Sequence, residues 1–155
     1  MTDMESSLKN MILTLLTITL VASLAVGVVY RITAGPIAEA KAAKITQAIA
    51  KVLPPFDNRP GDSVQALAID GGEIKIYQGT RQGQTVGYAI ETFSNNGFGG
   101  IIRLMAGFLP DGTIYRVETL SQSETPGLGD KMEKTKSDFA LQFDNKNPGT
   151  FRLSV

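Results

Sequence analysis

The residues best placed to do chemistry lie in Ser121 to Asp130, SQSETPGLGD, which follows a strand-like run and packs Pro126, Gly127 and Gly129 into a short loop. Glycine adds no Cβ and proline fixes the chain direction, so such a loop can bring backbone N–H groups close to an anion or a cofactor. Glu124 and Thr125 add a carboxylate and a hydroxyl, suited to hydrogen-bonding the polar atoms of a flavin or the hydroxyls of its ribityl chain. An ordinary strand-to-helix connection with Glu124 in solvent fits the same residues.

A second glycine-rich segment, Asn95 to Gly100, reads NNGFGG. Phe98 could stack on a flat ring while Gly99 and Gly100 admit its close approach. A wide hairpin turn is the alternative, since Asn-Gly is turn chemistry. Gly79 to Gly83, GTRQG, lacks the flanking strand, Lys and hydroxyl arrangement of a phosphate loop and reads as a turn. The carboxylate pairs Asp70 with Glu73 and Glu133 with Asp138 have no apolar shelter in sequence to separate their pKa values, and are expected in solvent.

Composition narrows the chemistry. There is no Cys, so disulfides, thiolate zinc sites and iron–sulfur ligation by this chain are excluded. There is no His either, which removes the usual general base near neutral pH and the Ser-His-Asp triad. Any redox chemistry must therefore sit on an organic or borrowed cofactor. Lys and Arg balance Asp and Glu at 15 each, so no bulk field draws the chain to nucleic acid, and a nucleic-acid partner is not expected.

The elements that would position these loops begin with an uncharged run, Met11 to Tyr30, long enough as a helix to cross the roughly 30 Å hydrocarbon core of a bilayer. A cleaved signal peptide is the rival, with a shorter apolar stretch. Residues 1–10 would precede this 11–30 anchor, residues 31–60 would form a juxtamembrane helix and linker, and 61–155 one domain. Gly35-Pro36 is expected to separate the anchor from a second helix, Ile37 to Leu53, whose Ile45, Ile49 and Val52 share a face.

Beyond Val64 the pattern becomes short β-branched and aromatic runs: Val64 to Ile69, Glu73 to Tyr77, Thr85 to Ser94, Ile101 to Leu109 and Thr113 to Leu120. Asp70-Gly71-Gly72 and Pro110-Asp111-Gly112 supply hairpin turns. Alternation in EIKIY and TIYRV places Ile74, Ile76, Ile114 and Val117 toward a core, with Glu73 and Lys75 in water. KMEKTKSDFALQF is helix-compatible with Phe139 and Phe143 as its apolar edge, and Thr150 to Val155 reads as a further strand that stops short, as in a truncated domain. The expected class is α+β, an antiparallel sheet with flanking helices behind one transmembrane helix.

The stretch GYAIETFSNNGFGGIIRLMAGFLPDGTIYRVETLSQSETPGLGDKM resembles the FMN-binding domain shared by the G subunit of Rnf complexes and the C subunit of the sodium-translocating NADH:quinone reductase. ETPGLG is its most specific part, and the short spacer and GFGG form look like the Rnf type. The resemblance covers Gly87 to Phe143 closely and the preceding anchor and helix in layout.

It implies a domain on the extracytoplasmic side of the cytoplasmic membrane, held by one N-terminal helix, with residues 1–10 in the cytoplasm. It also implies FMN bound through a phosphoester to a Thr, with Glu124, Thr125, Pro126, Gly127, Leu128 and Gly129 lining the flavin and Gly99 and Gly100 nearby. Electrons would pass between redox subunits of an ion-translocating ferredoxin:NAD oxidoreductase complex, the other membrane subunits and a flavin transferase being the implied partners.

Two departures stand out. The family's flavinylated Thr lies in an S-G-A-T-like motif, which is absent here and expected beyond Val155. Relatives commonly carry His where this chain has Gln122, and Gln cannot titrate near neutral pH. A membrane-anchored docking or assembly module without redox turnover is the alternative, as is the corresponding quinone-reductase subunit.

Overall fold

The computed structural model describes residues 8–152 and divides into two compact units, one ending at Ala42 and one beginning at Ala43. A single helix, α1, spans Leu8–Val52. Its early part is long and apolar enough to cross a membrane and leaves Leu13, Leu16, Leu20 and Leu24 exposed. The threonines in this run satisfy their own hydroxyls: Thr14 Oγ1 donates to the Asn10 carbonyl at 2.7 Å and Thr17 Oγ1 to that of Leu13 at 2.7 Å. No polar side-chain donor at those positions would then need water inside a bilayer.

The helix break expected at Gly35-Pro36 is absent, because Pro36 lies inside α1. Proline removes one backbone donor and crowds the residue before it, but that residue is Gly35, which has no Cβ to clash with the ring.

In the second unit, five strands form an antiparallel meander in the order β1-β2-β3-β4-β5, with β1 at Val64–Ile69, β2 at Gly72–Arg81, β3 at Gln84–Ser94, β4 at Ile102–Phe108 and β5 at Ile114–Ser121. Each predicted run is found, with ends shifted by a few residues. Gly71 at φ +83° turns β1 into β2, and Gln82 and Gly83 at φ 53° and 78° make the tight turn expected of GTRQG. In Pro110-Asp111-Gly112 the Asp111 carboxylate accepts the Thr113 N–H and hydroxyl, which hold its carboxyl below the usual range.

The covered face of the sheet differs from expectation. Tyr77, Ala89, Met105 and Leu120 are buried with Ala48, Ile49 and Val52 of α1 and the following Leu53. Ile74 and Ile76 alternate with Tyr77 and so lie on the opposite face, where they are only half-buried, as are Ile114 and Val117. Glycines explain the reversal. Gly79, Gly87 and Gly107 are all buried strand residues, and a Cβ on Gly79 would sit 2.8 Å from Leu53 Cδ1. The helix settles on the face that carries these three glycines, as a close backbone approach requires.

After β5 the chain makes 3-10 turns at Asp130–Met132 and Asp138–Phe143 in place of the α-helix expected there. The Ser137 hydroxyl donates to the Lys131 carbonyl and accepts the Phe139 N–H, offering the backbone an alternative to helix. Phe139 and Phe143 do meet, edge to face with centroids 5.8 Å apart. Thr150 belongs to a turn, not the expected strand, and Leu153 to Val155 lie outside the described residues.

Candidate cofactor site

The meander itself brings the two glycine loops together. β4 and β5 are neighbours, and Arg103 near the start of β4 pairs with Ser121 at the end of β5. The loop leading into β4, Asn95 to Gly100, must therefore lie beside the segment leaving β5, Gln122 to Gly129.

Glu124 joins them. Its Oε1 accepts the Gly99 N–H at 3.0 Å. A Cβ placed on Gly97 would come within 2.8 Å of that same oxygen, and one on Gly129 within 2.6 Å of the Glu124 Cβ. A Cβ on Gly99 would overlap the Ser123 carbonyl. Three glycines thus wrap one carboxylate side chain, and Glu124 is half-buried rather than free in solvent.

A chain of hydrogen bonds backs this junction. The Glu124 N–H donates to Gln122 Oε1, and Gln122 Nε2 donates to Glu133 Oε1 at 2.8 Å. Glu133, expected in solvent, is half-buried and tied into the site. Within ETPGLG, the Thr125 carbonyl accepts the N–H groups of Leu128 at 3.1 Å and Gly129 at 3.0 Å. Gly127 sits at φ +79° in that turn, and its N–H donates to Asp130 Oδ1 at 2.8 Å.

Asp130, only 6% exposed, is the organising residue that sequence reasoning treated as a loop end. Its other oxygen lies 3.8 Å from Lys136 Nζ. The available signal was an acidic residue opening a helical turn directly after a glycine loop, a position where carboxylates take backbone donors.

Of the residues singled out from sequence, Gly99, Glu124 and Gly129 meet directly, and Thr125, Pro126, Gly127 and Leu128 form the turn beside them. Gly100, at φ +131°, has open space where a Cβ would be. Thr125 and Pro126 are exposed. Phe98, between Gly97 and Gly99, and Leu128, between Gly127 and Gly129, are 93% and 74% exposed. The junction therefore offers a hydroxyl, backbone groups and two apolar side chains to a flat ligand with polar edges.

Next to it, between Asn95 and Ile101, opens a cavity of about 200 Å³ lined also by Lys75, Glu91, Phe93 and Arg103. Glu91, 9% exposed, accepts the Tyr77 hydroxyl at 3.0 Å and lies 3.7 Å from Arg103. Burial, then the facing Glu91 carboxylate, push the Tyr77 hydroxyl well above its ordinary pKa.

Comparison with known proteins places these features. Residues 97–150, which contain both glycine loops except for Asn95 and Asn96, match the family profile of the FMN-binding domain. Over 131 residues the chain is 37% identical to the G subunit of the ion-translocating oxidoreductase complex of Cereibacter sphaeroides, covering 83% of this chain and 59% of that protein. Over 150 residues it is 35% identical to the protein of the same name from Shewanella amazonensis, covering 92% of this chain and 69% of that protein. A third, from Haemophilus influenzae, is 40% identical over 83 residues, 54% of this chain and 40% of its own length. The chain thus spans about 59% of the length of the Cereibacter relative.

Proposed function

We propose, from the premise that the chain belongs to the family of G subunits of ion-translocating oxidoreductase complexes, that it is an electron-transfer subunit carrying FMN in such a complex. The observation that carries this reading is the meeting of the two glycine loops at Glu124, within the segment that matches the FMN-binding profile.

The residues fit a flavin nucleotide. Gly100 and Gly127 leave open space where a Cβ would be, so backbone there can approach a ligand, Gly99 and Gly129 pack the two loops together, and Thr125 offers a hydroxyl from an exposed turn. Phe98 and Leu128 present apolar surface from either loop, matched to the face of an aromatic ring. Pro126 stiffens the turn that carries Leu128. When bound, FMN would supply one- and two-electron redox chemistry, in a chain that has no Cys or His to hold a redox metal. The protein's part is to hold the cofactor and set its surroundings.

In this reading residues 11–30 are a single membrane anchor, 1–10 face the cytoplasm, 31–60 link, and 61–155 are the FMN-binding domain on the extracytoplasmic side. Its partners are other membrane subunits of a ferredoxin:NAD oxidoreductase complex and the flavin transferase that loads it. In this reading the cofactor is held through a phosphoester to a threonine, and none of the threonines in this chain is assigned that role.

Co-expression with a flavin transferase tests this, using the chain and a form extended to its relatives' length, read by in-gel fluorescence and intact mass. Flavin on the extended form supports the reading. No flavin on either form, and no binding of added FMN, would leave a docking module in its place.

A further inference from the structure

The sequence places the Glu124 carboxylate among groups that touch a flavin, but its surroundings give it a different task. We infer that Glu124 is a positioning residue: its carboxylate clasps the β3–β4 loop to the ETPGLG turn, so that the two halves of the cradle stand or fall together. This rests on the FMN reading for its purpose, though the clasp itself is a property of the chain alone.

One oxygen of the carboxylate is bonded to protein and the other lies against a glycine. Oε1 takes the Gly99 N–H at 3.0 Å and is walled by Gly97, where a Cβ would lie 2.8 Å away. Oε2 faces Gly129, where a Cβ would lie 2.9 Å away. A backbone donor bonded to an ionised carboxylate forms one of the stronger hydrogen bonds available to a protein. Nothing else hydrogen-bonded ties the loop to the turn among the described residues, since the β-ladder closes with Arg103 and Ser121.

The clasp is also held from behind. Gln122 uses both ends of its amide, accepting the Glu124 N–H and donating to Glu133 at 2.8 Å. Glu133 in turn stands at the end of the Asp130–Met132 turn, with its N–H donating to the Asp130 carbonyl at 3.0 Å. Asp130 holds Gly127 at 2.8 Å. A displacement of Gly99 is thereby opposed through Glu124, Gln122 and Glu133 by the same turn that fixes Gly127. Phe98 and Leu128, 93% and 74% exposed, ride on the two parts so joined.

The experiment compares the detergent-solubilised full chain with Glu124→Ala and Glu124→Gln. Exchange protection of the Gly99 amide is read by NMR without flavin, and binding of added FMN by quenching of its fluorescence. Loss of a bond to a charged acceptor should lower Gly99 protection by about tenfold or more in Glu124→Ala, and FMN affinity with it. Glutamine keeps an acceptor at the same reach, so Glu124→Gln should restore most of both.

Unchanged Gly99 protection in Glu124→Ala would overturn the clasp. So would equal loss of FMN in the two variants with Gly99 still protected in Glu124→Gln, the signature of direct contact by the charged group. Absence of flavin from the extended form, together with no binding of added FMN, would defeat the functional reading instead, and the Gly99 result would still decide the clasp.

Discussion

Gly107 of β4 runs so close beneath α1 that a Cβ there would overlap the carbonyl of Val52. This approach fixes the helix end against the sheet that carries both glycine loops. Gly107→Ala should therefore force the helix to lift, costing about 1–3 kcal/mol or somewhat more, as overpacking does. Gly61→Ala, where nothing lies within 4 Å of the added atom, is the matched control and should stay within about 0.5 kcal/mol. Urea denaturation followed by circular dichroism, comparing the two variants, checks this.

The sequence showed the strands and most of their turns because alternation and Asn/Asp/Gly/Pro punctuation are local. It did not show which face would be covered. Alternating residues define two faces equally well, and Ile74 and Ile76 look more core-like than Lys75 and Tyr77. The decisive signal was negative, the absence of side chains at Gly79, Gly87 and Gly107, which become one surface only when the strands are in register. The site followed the same logic: ETPGLG and NNGFGG were visible as loops, but their meeting depends on β4 pairing with β5. Gln122, Asp130 and Glu133 act through long-range or turn-specific bonds that no periodicity announces.

Asp130 should matter more than its place at the end of a loop implies. It is 6% exposed and accepts the Gly127 N–H at 2.8 Å. Asp130→Ala leaves that donor without its partner and Lys136 without its nearby charge, at a cost of about 1–3 kcal/mol. FMN binding should weaken alongside, because the turn bearing Thr125 and Leu128 loses its anchor. Parallel measurement of urea midpoint and flavin affinity would show both; a drop in neither would mean the turn holds itself.

Tyr77 gives the fold a dependence on alkaline pH. Its folded-state pKa is raised, by burial first and by Glu91 second, so the folded form keeps its proton while the unfolded chain releases it above about pH 10. The native state then binds more protons, and stability falls as pH rises, by about 1.4 kcal/mol per unit for this one group. Below the unfolded pKa the contribution is fully present. Tyr77→Phe should flatten the alkaline limb relative to wild type while lowering stability near neutrality, since Glu91 loses its hydroxyl donor. Denaturation series from pH 8 to 11 on both proteins isolate the difference from the lysines they share.

Two glycines in the cradle should respond to alanine for opposite reasons. Gly127 has φ +79° with open space where a Cβ would go, so Gly127→Ala meets only backbone strain, about 1–2 kcal/mol for a non-glycine residue in that region. Gly99 needs no positive φ, yet a Cβ there would overlap the Ser123 carbonyl and press on the Glu124 N–H. Gly99→Ala must push the β3–β4 loop off the turn after β5, and it cannot do so without lengthening the bond from Gly99 to Glu124. FMN binding should fall further in Gly99→Ala than in Gly127→Ala, even if Gly127→Ala is the less stable of the two to urea. The opposite order of flavin affinities would mean the ligand reads the turn alone, and that the loop carrying Phe98 stands outside its site.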